Sequence, residues 1–236
     1  MLILRRAFSS AAARGKAIAL IMGKPGGGKG TLSKRIVNDF GFAHLSSGDM
    51  LRAHLDKGTE LGKEAEKYMN SGALVPDQLM TDMVVDVVKE TLNSSDRVLL
   101  DGFPRTVSQA KALDANVDID FVFNLDVPNE EIVKRISDRW VHLNSGRVYS
   151  YNFNPPKEEG KDDETGEPLI RRADDEPEQV RKRLATYEEN TAPVLDHYKD
   201  VLKQFSGDDN PELINKDRRS DAIYKSLQPY LQQSLK

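Results

Sequence analysis

The chain has 236 residues, 38% of them hydrophobic and none of them cysteine. This length is enough for one large hydrophobic core, and the composition excludes a fully disordered, collagen-like or coiled-coil chain. The lack of cysteine excludes disulfides, thiolate catalysis and cysteine-bound zinc. A net charge of −4 argues against a nucleic-acid partner, and no apolar run approaches the roughly 18 residues that span a membrane, so no membrane partner is expected.

The first sixteen residues differ in charge from the rest of the chain. They contain Arg5, Arg6, Arg14 and Lys16, no acidic residue, and many serines and alanines. This composition predicts a mitochondrial transit peptide, since a secretory signal would need an apolar stretch of about 7–15 residues after the arginines. A basic tail without a targeting role is the alternative. Without these four positive charges, the net charge of −4 becomes −8 for residues 17–236.

Short apolar runs then alternate with stretches of helical spacing. Residues 17–22 are too few for a helix and suit a strand that is buried on both faces. Helices are predicted near residues 29–40, from Pro76-Asp77 and after Pro128. Further strands are predicted at 43–46, 98–100 and 121–125, with a candidate fifth strand at Leu213-Ile214. This alternation favours an α/β fold with a parallel sheet and right-handed crossovers.

Residues 140–176 interrupt the alternation. They contain the adjacent prolines Pro155 and Pro156, several glycines and a charged run over 158–167. Only short β-type pieces such as Arg147-Val148-Tyr149 occur within them. A loop-rich insertion of this length in a compact domain is more often a functional lid than a linker, so we expect a lid here.

A glycine-rich segment follows the first predicted strand. Residues 23–29 read GKPGGGK and fit the pattern G-x-x-x-x-G-K between a strand and a helix. Glycines allow backbone N–H groups to converge on phosphate oxygens, and the start of a helix adds the positive end of its dipole. Lys29 would supply a cation to the β- and γ-phosphates. Gly30 replaces the usual Ser or Thr and Thr31 comes one place later, so the pattern does not predict direct hydroxyl ligation of Mg²⁺. A glycine-rich hairpin turn is the alternative.

A second motif, Asp101-Gly102-Phe103-Pro104-Arg105, begins where an apolar strand ends. Ligands of open parallel sheets gather at the carboxyl ends of the strands. Asp101 could hold Mg²⁺ there through water, and Arg105 could contact a phosphate with two hydrogen bonds. A purely structural aspartate at the end of a strand is the alternative for Asp101.

Six arginines occur in separate segments of the chain. They are Arg52, Arg105, Arg135, Arg139, Arg172 and Arg183. Arg135 and Arg139 are four residues apart and share one helix face. Taken singly, each arginine could be a solvated surface charge. Together they suit phosphoryl transfer between two nucleotides, which depends on positioning and on stabilising the charge of the transferring group.

Several segments resemble the adenylate kinase family. They are residues 23–31 (GKPGGGKGT), 45–52 (LSSGDMLR), 101–105 (DGFPR) with Gln109, and 139–149 (RWVHLNSGRVY), together with 153–157 and 162–169. The resemblance runs from about residue 17 to the C-terminus. It implies the P-loop nucleoside monophosphate kinase fold, a parallel five-stranded sheet flanked by helices. The implied core is 17–45, 76–137 and 177–236, with a monophosphate-binding insertion at 46–75 and a lid at 138–176.

The same resemblance implies a role for each matching position. Residues that would hold the donor nucleotide are Gly26, Gly27, Gly28, Lys29, Gly30, Thr31, Arg135, Arg139, Val148 and Tyr149. Residues that would hold AMP are Ser47, Arg52, Leu74, Val75, Gly102, Arg105, Gln109, Arg172 and Arg183, with Gln109 reading adenine. The implied catalytic residues are Lys29, Arg105, Arg139, Arg172 and Arg183. Asp49 and Asp101 would face Mg²⁺ through water, and Asp174 and Asp175 resemble lid acids that meet core arginines.

Four lid positions differ from many bacterial relatives, in which cysteines bind structural zinc. This chain has His142, Ser145, Asp162 and Thr165 at those positions. We expect a hydrogen-bond network there and no structural zinc, although His142 and Asp162 are residue types that can bind a metal.

The finer resemblance is to the mitochondrial GTP:AMP phosphotransferase branch. It rests on residues 139–142 (RWVH), 44–48 (HLSSG) and 205–207 (FSG), and the transit-like leader agrees with it. It implies an enzyme of the mitochondrial matrix that reversibly transfers the terminal phosphoryl group of Mg²⁺-bound GTP to AMP, giving GDP and ADP. A monomer is expected because the sequence shows no long apolar surface stripe. A mitochondrial ATP:AMP kinase is one alternative. A nucleotide sensor or protein-binding module with weak activity is the other.

Overall fold

The structure, a computed structural model, describes residues 16–71, 73–152, 154–206 and 219–235. Its strands are β1 (Ala17–Gly23), β2 (Ala43–Ser46), β3 (Arg97–Asp101), β4 (Phe121–Asp126), β5 (Arg139–His142), β6 (Arg147–Ser150) and β7 (Leu202–Ser206). Its α-helices are α1 (Lys29–Phe40), α2 (Ser47–Asp56), α3 (Glu60–Ser71), α4 (Asp77–Thr91), α5 (Val107–Asp114), α6 (Asn129–Ser137), α7 (Pro177–Thr186), α8 (Ala192–His197) and α9 (Arg219–Ser234). A 3₁₀ turn at Ala173–Asp175 and a π-helical turn at Tyr187–Thr191 complete the described elements.

Strand β1 lies at the centre of the main sheet. Every residue of β1 is buried, as the apolar run predicts. Its neighbours β3 and β4 run parallel to it, with Ala19 opposite Leu99 and Phe121. Strands β2 and β7 extend the sheet on either side, giving the order β2-β3-β1-β4-β7. The predicted five-stranded parallel sheet is therefore confirmed.

Alternate side chains of β1 enter two separate cores. Leu20 packs with residues of α4, α5 and α8 on one face of the sheet. Ile21 packs with residues of α1 and α9 on the other face. Burial of apolar side chains on both faces leaves few polar positions in the central strands, Asn124 of β4 being one, and binding groups lie mainly at the ends of the strands. No helix in the described part of the chain is long and apolar enough to cross a bilayer.

The predicted elements correspond closely to the observed ones, apart from the fifth strand. The predicted strands at 17–22, 43–46, 98–100 and 121–125 and the helix at 29–40 are confirmed. The sequence pattern does not predict β7, an edge strand in which Phe205 is buried while Lys203 and Gln204 are exposed. The candidate strand at Leu213-Ile214 lies outside the described residues, as does the predicted transit peptide except for Lys16.

Two segments stand apart from this sheet. Helices α2 and α3 follow β2 and pack on each other. Strands β5 and β6 form a separate antiparallel hairpin in which Val141 faces Val148, and Val141 also bridges to Ile170. The β-type piece predicted at Arg147-Val148-Tyr149 is thereby confirmed. The carboxyl ends of β1, β2 and β3 share one edge of the sheet, and the first of these two segments begins there, directly after β2.

Candidate active site

A cleft of about 600 Å³ opens at the carboxyl edge of the sheet. Its wall includes most of the predicted site residues, namely Gly26, Gly28, Lys29, Gly30, Thr31, Asp49, Arg52, Leu74, Asp101, Gly102, Arg105, Arg135, Arg139, Val148, Tyr149, Arg172 and Arg183. Gly27, Ser47, Val75 and Gln109 are buried behind that wall. The structure therefore brings segments far apart in sequence to one cavity.

The glycine-rich segment forms a loop that ends at the start of α1. Gly28 has a φ of 89° and precedes Lys29, the first residue of the helix. A Cβ atom at Gly26, whose φ is +78°, would lie 2.5 Å from the Ile136 side chain. Glycine is therefore required at both positions for backbone conformation, and at Gly26 also for space. A loop with this form at a helix N-terminus aims backbone N–H groups at an anion.

Lys29 is folded onto this loop. Its Nζ atom donates to the carbonyl oxygens of Gly23 at 2.7 Å and Lys24 at 3.0 Å. Burial lowers the pKa of Lys29 to about 8, and the nearby arginines act in the same direction, while Asp101 opposes them. Lys29 is therefore a half-buried cation whose proton is held less tightly than that of an ordinary lysine, and phosphate oxygens would stabilise its charged form.

This pKa predicts how binding of a triphosphate should depend on pH. In the free protein, kcat/KM for the donor should fall as the pH rises through about 8, because neutral Lys29 offers no charge to the phosphates. Initial rates at low donor concentration between pH 6 and roughly pH 9.5 would measure this fall in kcat/KM. In Lys29→Arg the fall should disappear, since a guanidinium stays protonated. An unchanged fall in Lys29→Arg would show that another group titrates.

Arginines from distant segments crowd the middle of the cleft. Burial and the charge of Arg183 lower the pKa of Arg105 to about 10. Burial and the charges of Arg52 and Arg139 lower the pKa of Arg172 to about 10 as well. The Nε atom of Arg172 is buried and has no hydrogen-bond partner within the described residues. Several positive charges lie close together here, and no described residue uses the Nε donor of Arg172. Such a cluster is suited to binding a ligand that carries several negative charges.

Three carboxylates orient part of this cluster. Asp175, only 1% exposed, accepts from two nitrogens of Arg139, with 2.8 Å from Nε to Oδ2. Asp174 pairs with Arg183 at 2.8 Å, and Asp49 pairs with Arg52. Burial alone would raise the pKa of Asp174, but Arg183 and the other arginines hold it below its usual value. The 3₁₀ turn therefore fixes two arginines before any ligand arrives.

Residues buried behind the wall of the cleft form hydrogen bonds that hold the loop of Arg105 in place. Gln109 is 2% exposed, its Oε1 accepts from the Arg105 N–H at 2.7 Å, and its Nε2 donates to Asp77 at 2.9 Å. The Ser47 hydroxyl donates to the Gly102 carbonyl at 2.8 Å. These two bonds use only part of the hydrogen-bonding capacity of the Gln109 amide, and its reading of adenine stays a prediction.

The polar quartet of the lid forms the expected network, which is thereby confirmed. His142 Nδ1 lies 2.7 Å from the Ser145 hydroxyl, and the Thr165 hydroxyl donates to Asp162 at 2.9 Å. Asp162 is buried and also accepts two bonds from Arg147, each 2.6 Å. Hydrogen bonds from Arg147 and other donors hold the pKa of Asp162 well below its usual range. Within the described ranges, no group of three or more His, Cys, Asp or Glu is placed to hold a metal ion.

Asp162→Asn should loosen this hairpin without unfolding the core. The amide cannot accept the paired Arg147 bonds, so exchange of the lid amides should become roughly tenfold faster or more. Hydrogen–deuterium exchange over residues 139–170 would measure this against β1 and β4. Asp163→Asn is the control, because Asp163 is exposed and accepts one bond, from the Lys157 N–H. Equal lid protection in both variants would contradict the prediction.

The cleft also includes residues that the sequence motifs do not identify. Glu131 pairs with Arg135 at 3.0 Å, a contact that their four-residue spacing could have predicted. Tyr187 and Thr191 reach the cleft from the π-helical turn. Burial raises the pKa of Tyr187 to about 12. No local pattern marks either residue, because the tertiary fold brings them to the cleft.

Comparison with known families gives one match. The family profile described as adenylate kinase matches residues 21–203, from β1 to β7. The match covers most of the chain, including the glycine-rich segment at 23–29, the motif at 101–105 and the hairpin of β5 and β6.

Proposed function

The chain belongs to the adenylate kinase family, and on that premise we propose that GTP is the donor it uses to phosphorylate AMP. Members of this family are nucleoside monophosphate kinases, which transfer a phosphoryl group from a nucleoside triphosphate to AMP with Mg²⁺ bound to the nucleotide. The products of the proposed reaction are GDP and ADP. Of the two alternatives above, ATP as the donor is the one that the family match leaves open.

The GTP proposal is supported by the sequence of the lid hairpin. The segment 139–142 (RWVH), which resembles the GTP:AMP phosphotransferase branch, forms strand β5. With β6 it supplies Arg139, Val148 and Tyr149 to the wall of the cleft. The part of the chain that resembles this branch therefore borders the cavity in which the donor would bind.

The convergence of arginines on one cleft is the observation that carries the proposed mechanism. The N–H groups of the glycine-rich loop and Lys29 would bind the donor phosphates, with Arg135 on the donor nucleotide. Arg52 and Arg105 would bind the phosphate of AMP. Arg139, Arg172 and Arg183 would then surround the phosphoryl group in transfer, where fixed cations lower the energy of the transition state.

The reaction itself needs no general base. An ionised oxygen of the AMP phosphate attacks the γ-phosphorus of the donor, the bond from that phosphorus to the β-γ bridging oxygen breaks, and GDP leaves. Because the attacking oxygen carries no proton, the residues only have to align the two nucleotides and balance charge. Asp174 and Asp175 contribute by holding Arg183 and Arg139 in place.

The carboxylates at the cleft fit Mg²⁺ that arrives with the donor. Asp49 and Asp101 line the cavity, and oxygen is the ligand type that Mg²⁺ prefers. We assign both to its outer shell, through water. When bound, the ion neutralises charge on the donor phosphates.

We further propose that the segments 46–75 and 138–176 close over the two nucleotides. Val148 is exposed although it lines the cleft, and it would cover the donor base on closure. Closure would exclude water, which could otherwise accept the phosphoryl group. The acid-free leader supports a mitochondrial location, and the resemblance to the GTP:AMP phosphotransferase branch is our reason for proposing the matrix. We also propose that the enzyme works as a monomer.

A comparison of donors tests the GTP proposal. ADP formation from AMP would be followed with GTP, ITP and ATP in separate reactions at equal concentrations of the Mg²⁺ complexes. We expect the highest kcat/KM with GTP. A higher kcat/KM with ATP would overturn the donor assignment and favour the ATP:AMP alternative, and the family assignment would stand.

A further inference from the structure

The π-helical turn between α7 and α8 has no part in the mechanism above. Residues Tyr187–Thr191 wind more widely than an α-helix, and the N–H of Ala192 reaches the carbonyl of Tyr187 five residues earlier. The turn directly follows α7, the helix that carries Arg183. Turns of this kind are rare and often occur at functional sites.

This turn contacts both phosphate-binding loops. The Thr191 hydroxyl donates to the backbone carbonyl of Arg105 at 2.9 Å. At the other end, Glu188 pairs with Lys24 of the glycine-rich loop at 3.4 Å. One short segment therefore links the proposed donor loop, the proposed AMP loop and the helix of Arg183.

The contact with Arg105 restricts the position of the loop that carries this arginine. Arg105 makes two bonds to residues nearby in the chain, from its N–H to Gln109 of α5 and from its Nε to the Gly102 carbonyl, both 2.7 Å. The bond from Thr191 joins the loop to a segment 86 residues away. Thr191 is only 7% exposed, so water cannot easily replace its hydroxyl at the carbonyl.

The wide winding determines which side chain makes this bond. One added residue turns the rest of a helix by about 100° around its axis. The π-helical turn therefore decides that Thr191, rather than a neighbouring side chain, faces Arg105. Without its hydroxyl, the carbonyl of Arg105 would lose this donor, and the loop could shift.

We propose that Thr191 is a positioning residue, which holds Arg105 at the distance from the glycine-rich loop that transfer to AMP requires. This inference rests on the proposed binding of the AMP phosphate by Arg105. A displacement of about 1 Å at such a site can cost a factor of about a hundred in rate, so one hydrogen bond can matter.

Two substitutions at Thr191 test this role. Thr191→Val keeps the shape and removes the donor, and Thr191→Ser keeps the donor. We expect Thr191→Val to lower kcat/KM for AMP about tenfold to a hundredfold, while KM for the donor stays within about twofold. Thr191→Ser should restore most of the loss. Thr91→Val is the matched control, because the Thr91 hydroxyl bonds only the Val87 carbonyl of its own helix, among the bonds described, and lies away from the cleft.

Direct binding of AMP, measured by calorimetry beside thermal unfolding, separates the outcomes. Weaker AMP binding in Thr191→Val, with thermal unfolding like that of the Thr91→Val control, would support the positioning role of Thr191. This holds even if no donor gives turnover, since a lack of turnover would contradict only the proposed function. An equal loss for AMP and donor, a loss that Thr191→Ser does not restore, or unchanged AMP kinetics would each overturn the positioning role.

Discussion

Replacing Lys29 by methionine should lower kcat/KM for the donor nucleotide by about three orders of magnitude. Methionine fills similar space but carries no charge, so the donor phosphates would lose the cation at the start of α1. The two carbonyls that Lys29 contacts would lose their donor as well. Initial rates at donor concentrations below KM measure the effect, and thermal unfolding shows how much protein is folded.

Lys89→Met is the control for this change. Lys89 donates a hydrogen bond to Asn116 on the surface, away from the cleft. The rate constants of Lys89→Met should therefore match those of the unchanged protein. If Lys29→Met kept its donor affinity and lost less than about tenfold in rate, the glycine-rich loop would not be where the donor phosphates bind.

Arg139→Ala should lower kcat by about a thousandfold, the effect of losing an arginine that stabilises charge during phosphoryl transfer. It should also lower the free energy of unfolding, by up to about 3–5 kcal/mol, because the buried Asp175 loses its hydrogen-bonded partner and keeps only the longer 3.8 Å ion pair with Arg183. Single-turnover rates per folded molecule measure the first effect, and unfolding in denaturant measures the second.

A second substitution separates these two effects. In Arg139→Ala with Asp175→Asn the buried charge is removed, so stability should partly return while kcat stays low. Arg35→Ala is the control for loss of an arginine–aspartate pair, since Arg35 pairs with Asp221 between α1 and α9. Recovery of kcat in the double variant would show that Arg139 acts only by supporting the fold.

The core of the fold follows from local rules that can be applied to the sequence. The apolar run of β1 is short and buried on both faces, and Gly28 with Lys29 marks the start of α1. The end of β3 places Asp101 at the edge where ligands of parallel sheets bind. Each of these predictions depends on residues that are adjacent in the chain.

Contacts between distant segments could not be predicted in the same way. Strand β7 has the exposed residues Lys203 and Gln204 in its middle, and its place in the sheet comes from pairing with β4. The family resemblance identified the polar quartet of the lid, but the position of Arg147 at its centre depends on how the hairpin folds. The bond from Thr191 to Arg105 joins elements that only the tertiary structure brings together.

The cleft should transfer a phosphoryl group to AMP and exclude water as an acceptor. The most direct test incubates the protein with Mg²⁺ and GTP, with and without AMP, and measures GDP and ADP by chromatography. With AMP present, GDP and ADP should form in equal amounts, and without AMP almost no GDP should appear. GDP formation that is independent of AMP, or tight nucleotide binding with no product, would contradict the account.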